Sequence, residues 1–327
     1  MKKIALLLVL SLLVLGVLTA CQEPAPAPTA VTVRIAGMTG PTSMGLVKLA
    51  EDDANGTAQQ DYSIKTTYAK GDEITPLLIK GELDMAALPA NVAATLYQRT
   101  NGAIKVLAIN TLGVVNIVEK GNSVNNLADL AGKKIYAIGK GTTPEYGLRY
   151  LLAQNGVNYD ELNIEWKSAA TEILPLLKTE ENAIAMIPQP FATAAQLQVE
   201  GLRVALDLNE EWKKLENGTQ FVTGVLVARA AFIEEHPEAV ATFLSEYEAS
   251  IGWAKENPTA AAPLVVKYGI MDKEPLAKAA LPHCNLQFIA GAELKTVLSG
   301  YLSTLNSLNS EAIGGALPAD AFYYAAT

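Results

Sequence analysis

Two glycine-bearing segments of this chain repeat one another, and that repeat limits the fold more than any other feature of the sequence. Ile35 to Leu49 (IAGMTGPTSMGLVKL) and Ala137 to Leu152 (AIGKGTTPEYGLRYLL) share a layout. Gly37, Gly45, Leu46 and Leu49 stand at the spacing of Gly139, Gly147, Leu148 and Leu151, a constant offset of 102. A second pair follows each: Glu82 to Thr95 (ELDMAALPANVAAT) and Glu181 to Ala194 (ENAIAMIPQPFATA). These align Glu82 with Glu181, Ala86 with Ala185, Pro89 with Pro188 and Ala93 with Ala192 at an offset of 99. Each segment reads as a buried strand end, a turn and the start of a helix. Two such echoes in the same order predict two similar α/β units, a period far too long for a solenoid.

That prediction also locates a site. In open α/β sheets a ligand sits outside the carboxyl ends of the strands, where the following helices present N–H groups without intrahelical partners. Four strand-to-helix turns are available, two from each unit, and they meet across a cleft if the units face each other.

The amino terminus lies outside any fold argument. Lys2 and Lys3 precede the apolar run IALLLVLSLLVLGVL, and Leu18-Thr19-Ala20-Cys21 follows it. Residues 1–20 read as a signal peptide, and the small residues before Cys21 resemble a bacterial lipobox. Cys21 is then the expected lipidated mature terminus; cleavage elsewhere, or a retained membrane helix, is the alternative. Residues 21–30 are Pro-rich and form an extended tether. The whole chain carries a formal charge of −9, and loss of two lysines and no acid with the leader gives 23 − 34 = −11. This balance argues against nucleic acid and leaves the lipid on Cys21 as the membrane contact. Cys284 is the other cysteine and reads as a small buried thiol.

Along the chain, VTVRIAG opens the first unit as a strand, and a helix runs from Ser43 to about Asp53. The strand YSIKTTYA, a helix near Ile74 to Lys80, the buried strand ending at Pro89 and the helix NVAATLYQR follow. IKVLAINTLG is a further strand, after which the chain leaves the first unit. The second unit repeats the alternation, and TQFVTGVLVA carries the chain back. From Ala230 onward the pattern is helical, and the tail GGALPADAFYYAAT is ordered only if its aromatics dock. The resulting division is residues 31–113 plus 220–327 as lobe 1 and residues 114–219 as lobe 2. Two crossings between lobes make a hinge.

Chemistry is concentrated in the turns. GKGTTP fits neither the dinucleotide fingerprint, whose third glycine falls on Pro144, nor the phosphate loop, which needs Gly at Lys134 and Ser or Thr at Gly141. What remains is a turn able to hold a small polar or anionic group through amides and hydroxyls. Thr142 or Thr143 can equally cap the helix that Pro144 and Glu145 begin, as Thr42, Ser43 and Asn91 can cap theirs. Gln189 lies in a rigid Pro-Gln-Pro turn, and Arg149 is placed to pair with Glu145 four residues earlier. Histidine occurs only at His236 and His283, far from these turns. No Cys/His cluster has metal-ligand spacing and no Gly-x-Ser-x-Gly elbow is present. No cofactor, metal or catalytic residue is therefore expected.

The lipobox, KGELDMAALPANVA, LADLAGKKIYAIGKGTTPEYGLRYLL, AMIPQPFATAA and VLVARAAFIEEHPEAVATFL together resemble the solute-binding lipoproteins of ABC importers. The similarity is to the nitrate/sulfonate/taurine group, which also holds binders of thiamine precursors. It implies a type II periplasmic-binding-protein fold, α/β with two lobes on a two-strand hinge. It also implies a monomer that delivers a small solute to a permease and its ATPase. The family's contacts map onto the turns Thr39 to Ser43, Pro89 to Asn91, Gly139 to Thr143 and Pro188 to Gln189, with Thr39, Thr42, Ser43, Asn91, Gly141, Thr142, Thr143 and Gln189 as the residues that hold the ligand and hinge positions near Thr111 and Thr223. No arginine clamp is visible in these turns. An enzyme on the same fold and a surface ligand sensor are the rival readings.

Overall fold

The computed structural model describes residues 31–325, so residues 1–20, the tether and Cys21 lie outside the described residues. The chain opens with β1 (Val33–Met38), a buried run whose Val33, Ile35 and Ala36 are inaccessible to solvent. Two short helices follow, α1 (Pro41–Met44) and α2 (Val47–Ala54), where the sequence reads as one helix from Ser43. The break has a local cause. Ser250 Oγ donates to the Gly45 carbonyl (2.6 Å) and accepts from the Leu49 amide (3.0 Å), standing between the two groups that an unbroken helix would join.

The first half continues through β2 (Tyr62–Tyr68), α3 (Gly71–Ile79), β3 (Met85–Pro89), α4 (Ala90–Arg99) and β4 (Ile104–Leu112). The second begins at β5 (Val115–Lys120), then β6 (Lys134–Ala137), α5 (Thr143–Gln154), β7 (Asn163–Trp166), α6 (Ala170–Thr179), β8 (Ile184–Pro188), α7 (Phe191–Gln196), β9 (Leu202–Asp207) and α8 (Leu208–Lys213). The chain returns along β10 (Val222–Arg229) to α9 (Ala230–Glu235), α10 (Pro237–Glu256), α11 (Pro258–Lys267) and α12 (Glu274–Ala280). It ends with β11 (Leu286–Ala290) and α13 (Gly291–Leu308).

Among the described residues these strands form two sheets, ordered β11-β4-β10-β3-β1-β2 and β7-β6-β8-β5-β9. Aligned end to end, β2-β1-β3-β10-β4 matches β7-β6-β8-β5-β9, so the duplication in the sequence is a duplication of sheet order. In each sheet the strand next to the repeated proline is the one that crosses over: Gly224 of β10 pairs with Pro89, and Val115 of β5 pairs with Pro188. Both pairs are antiparallel, whereas β1–β3 and β6–β8 are parallel. The carboxyl ends of β1, β3, β6 and β8 consequently gather where the two crossings run.

Two elements depart from the sequence reading. The helical stretch after Ala230 is interrupted by β11, an edge strand antiparallel to β4. Its five residues are too few for a period to show. α8 was also not anticipated; Asp207 caps it, accepting from the amides of Asn209 (2.8 Å) and Glu210 (3.3 Å). The tail is ordered by docking. Phe322 packs edge-on against Tyr97 with ring centroids 5.0 Å apart, and the Tyr324 amide donates to the Val106 carbonyl at 2.9 Å.

Where the chain crosses, Trp212 stacks on Phe221 (centroids 5.0 Å) and touches Tyr150 (4.5 Å) and Tyr301 (5.9 Å). Side chains from both sheets thus share one apolar core, with Gly147 in contact with the Phe221 ring: a Cβ there would lie 2.5 Å from Phe221 Cζ.

Candidate functional site

The glycines of the first echo shape the strand-to-helix turns. A Cβ on Gly37 would meet Ser43 Oγ at 2.1 Å, and one on Gly139 would meet Pro144 at 2.8 Å. Gly139 also has φ +86°, a left-handed conformation that side chains disfavour. Each glycine lets the helix start fold back over the strand that precedes it.

Between the four turns lies a cavity of about 520 Å³. Of the ten residues expected to hold a ligand, Thr39, Thr42, Asn91, Thr142, Thr143, Gln189 and Thr223 line it. The two halves of the chain meet here: Thr143 Oγ1 donates to Asn91 Oδ1 at 3.5 Å. Gln189 is almost fully buried. Its carboxamide oxygen accepts from the Thr193 amide (3.2 Å) and hydroxyl (2.8 Å), which leaves the NH₂ group for the cavity. Thr223 Oγ1 is buried and has no hydrogen-bond partner among the described residues.

The polar groups are set in an uncharged wall. Among the described residues that line the cavity none is acidic or basic, and Pro41, Pro89, Pro144, Pro188 and Pro190 bring no backbone N–H to it. Cation and anion partners alike are missing from the lining.

The turn before α5 is held from behind. The Glu145 carboxylate accepts from the Gly141 amide (2.6 Å), the Tyr159 hydroxyl (2.9 Å) and Arg149 Nε (3.0 Å). Burial pushes this carboxyl up, but those donors outweigh it and hold it below the usual range. Burial and the same carboxylate push the Tyr159 hydroxyl up to about 12. Side-chain capping by the turn threonines does not occur. Thr142 Oγ1 donates back to the Gly139 carbonyl (2.7 Å), α1 starts after Gly40 with Thr42 and Ser43 inside it, and α4 starts after Pro89 with Asn91 inside it.

The sequence profile of the NMT1/THI5-like family matches residues 60–261, more than half of the chain. The chain belongs to that family. Over 181 residues it is 25% identical to proteins of Brucella abortus and Brucella suis that carry the provisional name of binding protein. The matched stretch is 55% of this chain and 54% of each relative, so the chain spans about half the length of those relatives. The fold is similar to that of an ABC transporter protein from Parabacteroides distasonis (TM-score 0.74, 24% identity, covering 90% of this chain and 98% of that one). It is also similar to the periplasmic aliphatic sulphonate binding protein SsuA from Escherichia coli (TM-score 0.66, 17% identity, 86% and 88%). A third likeness is to the periplasmic nitrate-binding protein NrtA from Synechocystis (TM-score 0.54, 15% identity, 82% and 75%). The architecture is that of the type II periplasmic binding proteins.

In this NMT1/THI5-like chain the other three expected residues sit off the cavity lining. Ser43 and Thr111 are fully buried, each with an unpartnered hydroxyl, and the Gly141 amide is occupied by Glu145. Val114, Val115, Pro144, Phe191 and Ile270 line the cavity outside the turns onto which the family's contacts map. Proline density at strand ends was the available signal, since Pro89 and Pro188 are partners in the second echo. His236 packs at a tilt against Phe232 (ring centroids 5.0 Å apart) and the exposed His283 lies in a turn after α12; neither lines the cavity.

Proposed function

We propose that this chain is the extracytoplasmic substrate-binding component of an ABC importer. It captures a small solute between lobe 1 (residues 31–113 plus 220–327) and lobe 2 (residues 114–219) and passes it to a permease driven by an ATPase. The observation that carries this reading is the cavity at the matched strand ends. Its polar groups are amides and hydroxyls suited to reversible hydrogen bonding, and its lining has no acid, base or nucleophilic thiol for bond breaking. Family membership and the type II fold support the same role. Native mass spectrometry of the purified protein tests it: a non-covalently bound small molecule released unchanged supports capture, and a molecule converted to product on incubation overturns it.

Side-chain replacements at the cavity separate ligand contact from structure. Thr223→Val removes a buried hydroxyl that has no partner, so the ligand-free protein should be as stable as wild type or more so. Affinity should nevertheless fall by about 0.5–1.5 kcal/mol, up to roughly tenfold. Gln189→Ala should weaken binding similarly while also freeing Thr193. Titration calorimetry with the co-purified molecule, beside thermal melting of the ligand-free variants, checks both; unchanged affinity in both variants would move the site elsewhere.

Attachment to the membrane is proposed through a lipid on Cys21, with the protein acting as a monomer on the outer face. Cys21→Ser should move the protein from the membrane fraction to the soluble fraction. Retention on the membrane after detergent-free washing would replace the lipid by a retained apolar helix.

A further inference from the structure

A groove of about 860 Å³ adjoins the cavity, and Thr39, Pro190, Phe191 and Ile270 line both. Its walls are apolar. One is made by Leu174 and Leu177 of α6 with Leu197 just after α7, the other by Ile270 and Leu276, which flank the turn between α11 and α12. Phe191 and Leu197 are 43% and 64% exposed, unusual for such large apolar side chains side by side on one short segment. Asp272 and Lys273 also line the groove; both are exposed, so they keep water at its outer edge.

We infer that the solute is an uncharged molecule with a polar head in the cavity and an apolar arm of several carbons in this groove. The inference rests on the proposed capture role and deepens it. The head has to include a hydrogen-bond acceptor, because the Gln189 NH₂ can only donate, and the Thr223 hydroxyl, which has no partner among the described residues, can meet either kind of group. A sulfonate or nitrate would be buried there with no cation among the described lining residues, and the Gly141 amide of the turn before α5 already holds the Glu145 carboxylate. The arm leaves past Phe191 and Ile270, the residues common to both spaces. Once in the groove it lies between α6–α7 and the α11–α12 turn, so it touches both halves of the chain and covers apolar surface otherwise open to water.

Straight-chain primary amides from propanamide to octanamide, with hexanesulfonate as the charged counterpart, are the probes. Affinities are measured by ligand-observed NMR for the full chain, for Leu174→Asn and Leu276→Asn in the groove, and for Gln189→Ala in the cavity. Each added methylene should tighten amide binding about three- to fourfold. The groove variants should flatten that dependence while leaving propanamide affinity unchanged, Gln189→Ala should weaken every amide, and hexanesulfonate should bind at least tenfold more weakly than hexanamide. If amides bind through Gln189 without length dependence, or with a dependence the groove variants leave intact, the inference falls while the capture role stands. Hexanesulfonate binding as tightly as hexanamide, or no binding of any amide, also overturns it. Length-dependent binding untouched by Gln189→Ala puts the molecule outside the cavity and defeats the proposed capture site as well.

Discussion

Asp84→Ala should destabilise the protein by about 3 kcal/mol, the low end of what loss of one partner from a buried ion pair costs. Asp84 is 2% exposed and stands just ahead of β3. Its carboxylate accepts from the Arg34 amide (2.9 Å), Arg34 Nε (2.8 Å) and Nη2 (2.6 Å) on β1, and from Arg229 Nη2 (3.0 Å) at the end of β10. Three strands of one sheet are tied at a single carboxylate. The cost lies at the low end because the Arg34 side chain is 42% exposed and can be rehydrated. Burial raises the Asp84 carboxyl, but the two arginines hold it below the usual range. A folded value below the unfolded one, about 3.9, means the stabilisation is fully present above pH ~4. It is lost as pH falls through the folded value. Urea unfolding of wild type and variant from pH 7 to pH 2.5 checks this: the gap between midpoints should close in acid. A gap that does not narrow as pH falls below 4 would assign the loss to packing instead of charge.

Glu145→Ala should cost about 2 kcal/mol, in the range of hydrogen bonds to a charged group, and should also weaken ligand binding. The carboxylate fixes the Gly139–Thr143 turn through the Gly141 amide, and that turn carries Thr142 and Thr143 into the cavity. Arg149→Ala should cost less, about 0.5 kcal/mol, since Arg149 is 42% exposed and forms an i,i+4 pair. Glu145→Gln keeps an acceptor for Gly141 and should retain most of the affinity while losing part of the stability. Thermal melting and ligand titration on the three variants distinguish the roles. If Glu145→Ala binds normally, the turn holds its shape without the carboxylate.

The two halves and the cavity at their matched strand ends were legible because the repeated residues answer to the same geometry twice. Gly45 and Gly147 recur where the backbone accepts close contact from a side chain far along the chain, from Ile251 in one case and Phe221 in the other. Ala86 and Ala185 are fully buried at the second positions of β3 and β8, and Pro89 and Pro188 end those strands beside the crossings. Such requirements leave marks at fixed spacing. What stayed hidden depends on contacts from distant residues. The break between α1 and α2 is made by Ser250, about two hundred positions along the chain, and no local pattern around Gly45 announces it. The expected threonine caps failed for a local reason instead: Glu145 takes the Gly141 amide and Thr142 turns back to Gly139. The groove was equally invisible, since Leu174 and Leu276 belong to two helices about a hundred positions apart and come to line one space only in the fold.

The direction of β1 has a consequence for how the molecule can be handled on a surface. Met38 and Thr39 at its carboxyl end line the cavity, so Val33 marks the far end of the same strand, roughly 20 Å away at about 3.3 Å per residue. Whatever precedes Val33 joins the fold on the side remote from the solute. An attachment made at Val33 would therefore meet the molecule a strand's length from the cavity.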